Sequence, residues 1–122
     1  MITGLDHANI CTDDLEATRA FYVDLLGLEE GFRPNLGSSR GLWLYANQRP
    51  ILHIILESQA RPPGGALDHV AFAVSDFDAT LARLDGAGVT YQARDIPDGI
   101  GRQAFVKDPS GVTIELNWRR AA

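Results

Sequence analysis

The tripeptide LeuAspHis occurs twice, at 5–7 and again at 67–69, and this echo constrains the fold more than any other feature. Subtracting 62 carries Leu67, Asp68 and His69 onto Leu5, Asp6 and His7. The same shift carries Asp76 onto Asp14, Ala79 and Thr80 onto Ala17 and Thr18, Ala82 onto Ala20, Gly99 onto Gly37, and Arg102 onto Arg40. Character is kept where identity is not, with Phe105 on Trp43, Ile114 on Leu52 and Leu116 on Ile54. A shift that never changes means that the halves align without a gap. The chain is two copies of one unit.

Each copy reads alike. Residues 5–11 and 67–74 suit short strands. ThrAspAspLeuGlu and SerAspPheAsp follow, with side-chain oxygens to cap a helix and carboxylates for its first turn. Leu15, Ala17 or Thr18, Phe21, Tyr22, Leu25 and Leu26 recur at helical spacing before Gly27. The second helix runs from Phe77 through Leu81 and Leu84 to a stop at 86–88. Three strand-like segments complete each copy, at 29–34, 40–45 and 51–57, then 90–96, 102–107 and 112–118. AsnGlnArgPro and AspProSerGly supply turns between them. The pattern is βαβββ, twice. Module 1 spans 1–60 and module 2 spans 66–122, joined by the ArgProProGlyGly linker at 61–65 into one domain over 1–122.

Strand alternation then assigns faces. His7 shares a face with Asn9 and Cys11, and His69 with Ala71 and Ala73. In the last strand Thr113, Glu115 and Asn117 lie together. Position 53 is the repeat mate of 115, so all three histidines of the chain occupy one of two repeat-equivalent positions, and the fourth such place is Glu115. If the modules pair by pseudo-twofold symmetry, His7, His53, His69 and Glu115 surround one point. Imidazole and carboxylate together suit a borderline divalent ion such as Fe, Mn, Co, Ni or Zn. Trp43 and Phe105 are repeat mates on strands expected to line the same cup, with Tyr45, Gly41 and Gln103 on their side and Arg40 and Arg102 on the other.

Composition excludes several alternatives. A formal charge of −5 disfavours nucleic acid or an anionic membrane as partner. Cys11 is the single cysteine and cannot close an internal disulfide, which fits a reducing cytoplasm. Asp6, Asp13 and Asp14 interrupt any signal-peptide core, and the apolar run IleLeuHisIleIleLeuGlu is too short to span a bilayer.

The order GLDHANI, FYVDLLGL, LDHVAF and FVKDPSGVTIELNW resembles the vicinal oxygen chelate superfamily, which includes glyoxalase I, fosfomycin-resistance thiol transferases, methylmalonyl-CoA epimerase, extradiol dioxygenases and bleomycin-resistance proteins. The resemblance covers the whole chain. It implies an α+β fold, two tandem βαβββ modules forming a cupped mixed sheet around a divalent metal. His7, His69 and Glu115 match the family's core ligands. His53 stands where the glyoxalase and epimerase branches carry Glu or Gln, a departure that argues against glyoxalase I activity. His53 is then either a fourth ligand or, with Glu115, a catalytic group of the pocket. No cluster of lysines and serines for a potassium loop is evident, which weakens the thiol-transferase branch. Bleomycin-binding relatives generally lack the ligand set.

The expected function is metal-dependent chemistry on a small molecule with vicinal oxygens. Lyase or isomerase action and Fe(II) ring cleavage both remain open, and the alternative is a non-catalytic binding protein. Asn9, Trp43, Tyr45, Gln103 and Phe105 are the expected substrate contacts, and relatives with one module pair are usually homodimers. Tyr91 and Arg94 offer an anion site but read as solvated surface, as do Arg119 and Arg120. Cys11 reads as inert filler.

Overall fold

The computed structural model describes residue 1, residues 4–62, residue 67 and residues 69–121. Most of the expected linker, residues 63–65, and Asp68 of the second LeuAspHis lie outside the described residues. The chain forms two compact units, Met1–Pro62 and Pro63–Ala122.

In the first unit, β1 (Ala8–Thr12) leads into α1 (Leu15–Arg19), and the strands β2 (Glu29–Gly31), β3 (Gly41–Ala46) and β4 (Arg49–Leu56) follow. The sheet order is β1-β4-β3-β2, with β1 parallel to β4 and the other pairs antiparallel. The second unit repeats this with β5 (Val70–Ala73), α2 (Phe77–Gly86), β6 (Gln92–Ile96), β7 (Gly101–Lys107) and β8 (Thr113–Arg119), in the order β5-β8-β7-β6. The fold is α+β, carried by two four-stranded mixed sheets.

The caps are duplicated atom for atom. Asp14 accepts from the Ala17 amide and Asp76 from the Ala79 amide, each at 3.0 Å, satisfying a first-turn donor that the helix leaves open. The first helix departs from a single α-helix, because after Arg19 it widens into a π-helical segment over Ala20–Leu25. This wider turn accommodates two adjacent buried rings, Phe21 and Tyr22, packed edge to face at 4.9 Å. Gly27 ends the helix at φ +82°, the left-handed cap that glycine adopts without strain.

Ile10, Leu42, Leu44, Leu52 and Ile54 form the buried strand face of module 1 with Phe21 and Tyr22. Ala104, Val106, Ile114 and Leu116 do so in module 2 with Phe77 and Leu84. Burying each large side chain contributes on the order of 1.5–3 kcal/mol. The buried Thr18 hydroxyl meets that of Thr12 at 2.9 Å, linking α1 to β1. Arg102 bridges Asp78 of α2 and Asp95 of β6 and lies 4.4 Å from the centroid of Phe77, which places it on the helix side of its sheet. Residues of opposite parity on the same strands, including Gln103 and Phe105, project from the helix-free face.

Register carries the repeat further than sequence identity does. Asn9 lies opposite His53 as Ala71 lies opposite Glu115, and Trp43 lies opposite His53 as Phe105 lies opposite Glu115. The edge strands break the rule. Gly31 faces Trp43, whereas Phe105 faces Gln92, the repeat mate of Glu30. The outer strand of module 2 is slipped by one residue relative to module 1.

Candidate functional site

The helix-free face of each module carries one pair of the expected ligands. In module 1 the His7 and His53 rings stack at 3.8 Å with a 19° tilt. Trp43, held opposite His53 by the β3–β4 ladder, stacks on its other side at 3.9 Å and 7°. His53 is thus the middle layer of a sandwich. Its Nε2 is buried and has no hydrogen-bond partner among the described residues. Burial holds the His53 pKa below the usual histidine value, and the neighbouring His7 pushes it the same way.

His7 precedes β1 and is turned by its sequence neighbour, with Nδ1 2.7 Å from the Asp6 carboxylate. That hydrogen bond holds the Asp6 pKa below the ordinary aspartate value. A carboxylate on Nδ1 fixes the tautomer and leaves Nε2 as the basic nitrogen, the arrangement that orients a metal-ligating histidine. Asp6 was legible in the LeuAspHis motif itself, but strand alternation directs attention two residues away and passes over the neighbour.

Module 2 holds a different pair. His69 Nε2 lies 3.0 Å from Oε2 of Glu115. Glu115 is 6 % exposed, and its other oxygen accepts from the Gln103 side-chain amide. The Gln103 carbonyl in turn accepts from Arg94 Nε at 2.8 Å, and the Arg94 guanidinium lies 5.0 Å from the centroid of the Phe105 ring. Because Arg94 can only donate, the amide of Gln103 must present its NH2 to Glu115.

The other expected contacts divide. Asn9 lies opposite His53 and donates toward Cys11 Sγ at 3.9 Å, so it does not partner the His53 ring. Asn117, on the same strand face as Glu115, has its own Oδ1 buried without a partner among the described residues. Tyr45 packs its ring over Gly31 and donates its hydroxyl to the Phe32 carbonyl at 2.6 Å, an attachment to the edge strand. Two shallow depressions lie elsewhere, one beside Asp98 and Trp118 and one beside Ser38 and Glu57, and no histidine lines either.

The donors fit a divalent ion chemically. One buried imidazole nitrogen lacks a partner, another imidazole is oriented by a carboxylate, and a third faces a buried glutamate. Within neither module, among the described residues, do three such groups come together. The stack also limits what His7 and His53 can do jointly. The two rings lie face to face 3.8 Å apart, so His7 and His53 would hold one ion jointly only if one ring turned.

The comparisons with known proteins agree with this architecture. The signature of the Glyoxalase/Bleomycin resistance protein/Dioxygenase superfamily matches residues 4–116. The chain is 32% identical over 119 residues to the uncharacterised protein YaeR of Escherichia coli, covering 90% of this chain and 92% of YaeR. It is 28% identical over 123 residues to the glutathione transferase FosA of Serratia marcescens, covering 96% of this chain and 82% of FosA. A glyoxalase family protein from Bacillus anthracis superposes with a TM-score of 0.79 at 28% identity, with 98% of each chain covered. No helix among the described residues is long and apolar enough to cross a membrane.

Proposed function

We infer the activity from one premise: this chain belongs to the Glyoxalase/Bleomycin resistance protein/Dioxygenase superfamily. We propose that it is a divalent-metal-dependent enzyme acting on a small molecule with adjacent oxygens, and that His7, His69 and Glu115 are its ligands. His53 is its proton-moving group. The observation that carries this reading is the His69–Glu115 pair. A carboxylate this buried faces an imidazole, and the atoms in contact, Nε2 and Oε2, are the ones a metal would use. A divalent ion held at that pair would take the place of the contact between them.

When bound, the ion supplies Lewis acidity that polarises a carbonyl or stabilises a developing enediolate. The chain's own residues do the rest. Asp6 fixes the His7 tautomer, with the proton on Nδ1, and directs Nε2. Gln103 holds one Glu115 oxygen, leaving the other for the ion or His69. His53, with a depressed pKa and an unpartnered Nε2 between two rings, is a neutral acceptor suited to taking a proton from a bound substrate. A proton acceptor of this kind favours lyase or isomerase chemistry over ring cleavage.

Elemental analysis of the purified protein and of His53→Ala tests the assignment. Stoichiometric divalent ion in both, with activity lost only in the variant, is the expected result. Metal lost with His53 would make it a ligand. A protein with no affinity for any divalent ion would instead be a binding protein, and iron with oxygen uptake on catechols would make it a dioxygenase.

A further inference from the structure

We propose that Arg94 anchors an anionic group of the substrate, a carboxylate or a phosphate-like group, through its two terminal NH2 groups beside the Glu115–His69 pair; this rests on the metal-enzyme reading above. The gapless alignment of the halves hides the position. By that alignment Arg33 is the mate of Asp95, and Arg94 is the mate of Phe32. The slipped edge strand changes this. Arg94 pairs across to Gln103, and Gln103 is the repeat mate of Gly41. Arg33 lies over Gly41, so close that a Cβ there would meet its Nε at 3.3 Å. Arg33 and Arg94 therefore fill one structural slot, once per module, next to the ligand pair.

The two slots are in opposite states. Arg33 donates from Nη1 to the Ser39 carbonyl at 3.2 Å and from Nη2 to the Ser39 hydroxyl at 3.1 Å, so its outer edge is closed by its own loop. Arg94 is held from behind, by Nε on Gln103 and by the Phe105 ring beneath it. No hydrogen bond engages either of its NH2 groups among the described residues. A guanidinium fixed at Nε, with its Nη1/Nη2 edge open, offers two parallel donors matched to a carboxylate or phosphate edge. Pre-fixing the side chain also removes much of the ordering cost of binding.

The electrostatic setting agrees. Arg19, Arg61 and Arg102 each pair with carboxylates, which closes them to a ligand. Arg94 has no ion pair among the described residues, in a chain whose net charge is −5. The connection to Gln103 and Glu115 uses Nε alone, so an anion on the outer edge leaves that connection intact.

Inorganic phosphate is the probe, titrated into metal-free protein and followed through the arginine Nε–H resonances and by calorimetry. The Arg94 resonance is expected to move saturably while that of Arg33 stays in place. Arg94→Lys should weaken phosphate at least tenfold and Arg94→Gln should abolish saturable binding. Arg94→Gln should keep the parent's cooperative unfolding transition, which separates loss of the anchor from loss of fold. Phosphate binding that survives unchanged in Arg94→Gln overturns the proposal, as does an unmoved Arg94 resonance. If the parent binds phosphate at Arg94 but no cobalt, the metal reading falls while the anion site stands. If cobalt binds and phosphate does not, the anion site falls alone.

Discussion

The two modules share a backbone plan and differ in what they do with it. Module 1 builds an aromatic stack, with His53 between Trp43 and His7 and its edge arginine closed onto Ser39. Module 2 builds a polar relay, in which Arg94, Gln103, Glu115 and His69 are joined in series. The substitutions responsible are few: Trp43 for Phe105, His53 for Glu115, and Gly41 for Gln103, each pair at one structural position. Duplicated scaffolds can thus diverge at the face that carries chemistry while the helix-side core stays interchangeable.

The largest effect should follow from removing the relay's carboxylate. Glu115→Ala is expected to reduce divalent-ion affinity by at least about 100-fold, roughly 2.7 kcal/mol, in a cobalt titration. His53→Ala should change it by less than about threefold. Equal losses in both would erase the distinction between Glu115 as a ligand and His53 as a proton-moving group.

Gly41 and Gln103 sharpen the comparison at the level of stability. A Cβ at Gly41 would sit 2.0 Å from the Ile54 carbonyl oxygen, a backbone atom that cannot yield cheaply. Gly41→Ala should destabilise the protein by about 3 kcal/mol in denaturant unfolding, an overpacking cost. Gln103→Ala, at the equivalent place in module 2, should cost about 1–2 kcal/mol by removing its hydrogen bonds with Arg94 and Glu115.

The helix caps test the shared part of the plan. Asp14→Ala and Asp76→Ala should each lower stability by about 1 kcal/mol, and by similar amounts, since both make one 3.0 Å bond to the third residue on. A marked difference would show that the π-helical segment alters how α1 depends on its cap.

The smallest effect concerns pH. Because His53 is held below the ordinary histidine value near about 6.5, the unfolded chain binds more protons between the lowered value and that one. Its contribution to stability is therefore present above the unfolded value and is lost as pH falls through the window towards the folded one. The metal-free parent should lose stability across that window slightly more steeply than His53→Gln, measured by denaturant unfolding at successive pH values.

Much of this was legible before any coordinates. The duplication, the two caps, the βαβββ order and the helix-free placement of His7, His53, His69 and Glu115 follow from composition and alternation, because helix period and strand parity are local properties of a chain. Strand parity also put Arg102 on the helix side, where it meets Asp78 and Phe77. The π-helical turn was not legible, since it depends on how two adjacent rings pack. The stacking of His53 was not either, because parity says which face a ring occupies and nothing of which neighbour it lies against. Tertiary structure alone decided that Arg33 and Arg94 are equivalents. A one-residue slip of an edge strand is set by hydrogen bonds across the ladder, and a gapless sequence repeat carries no trace of it.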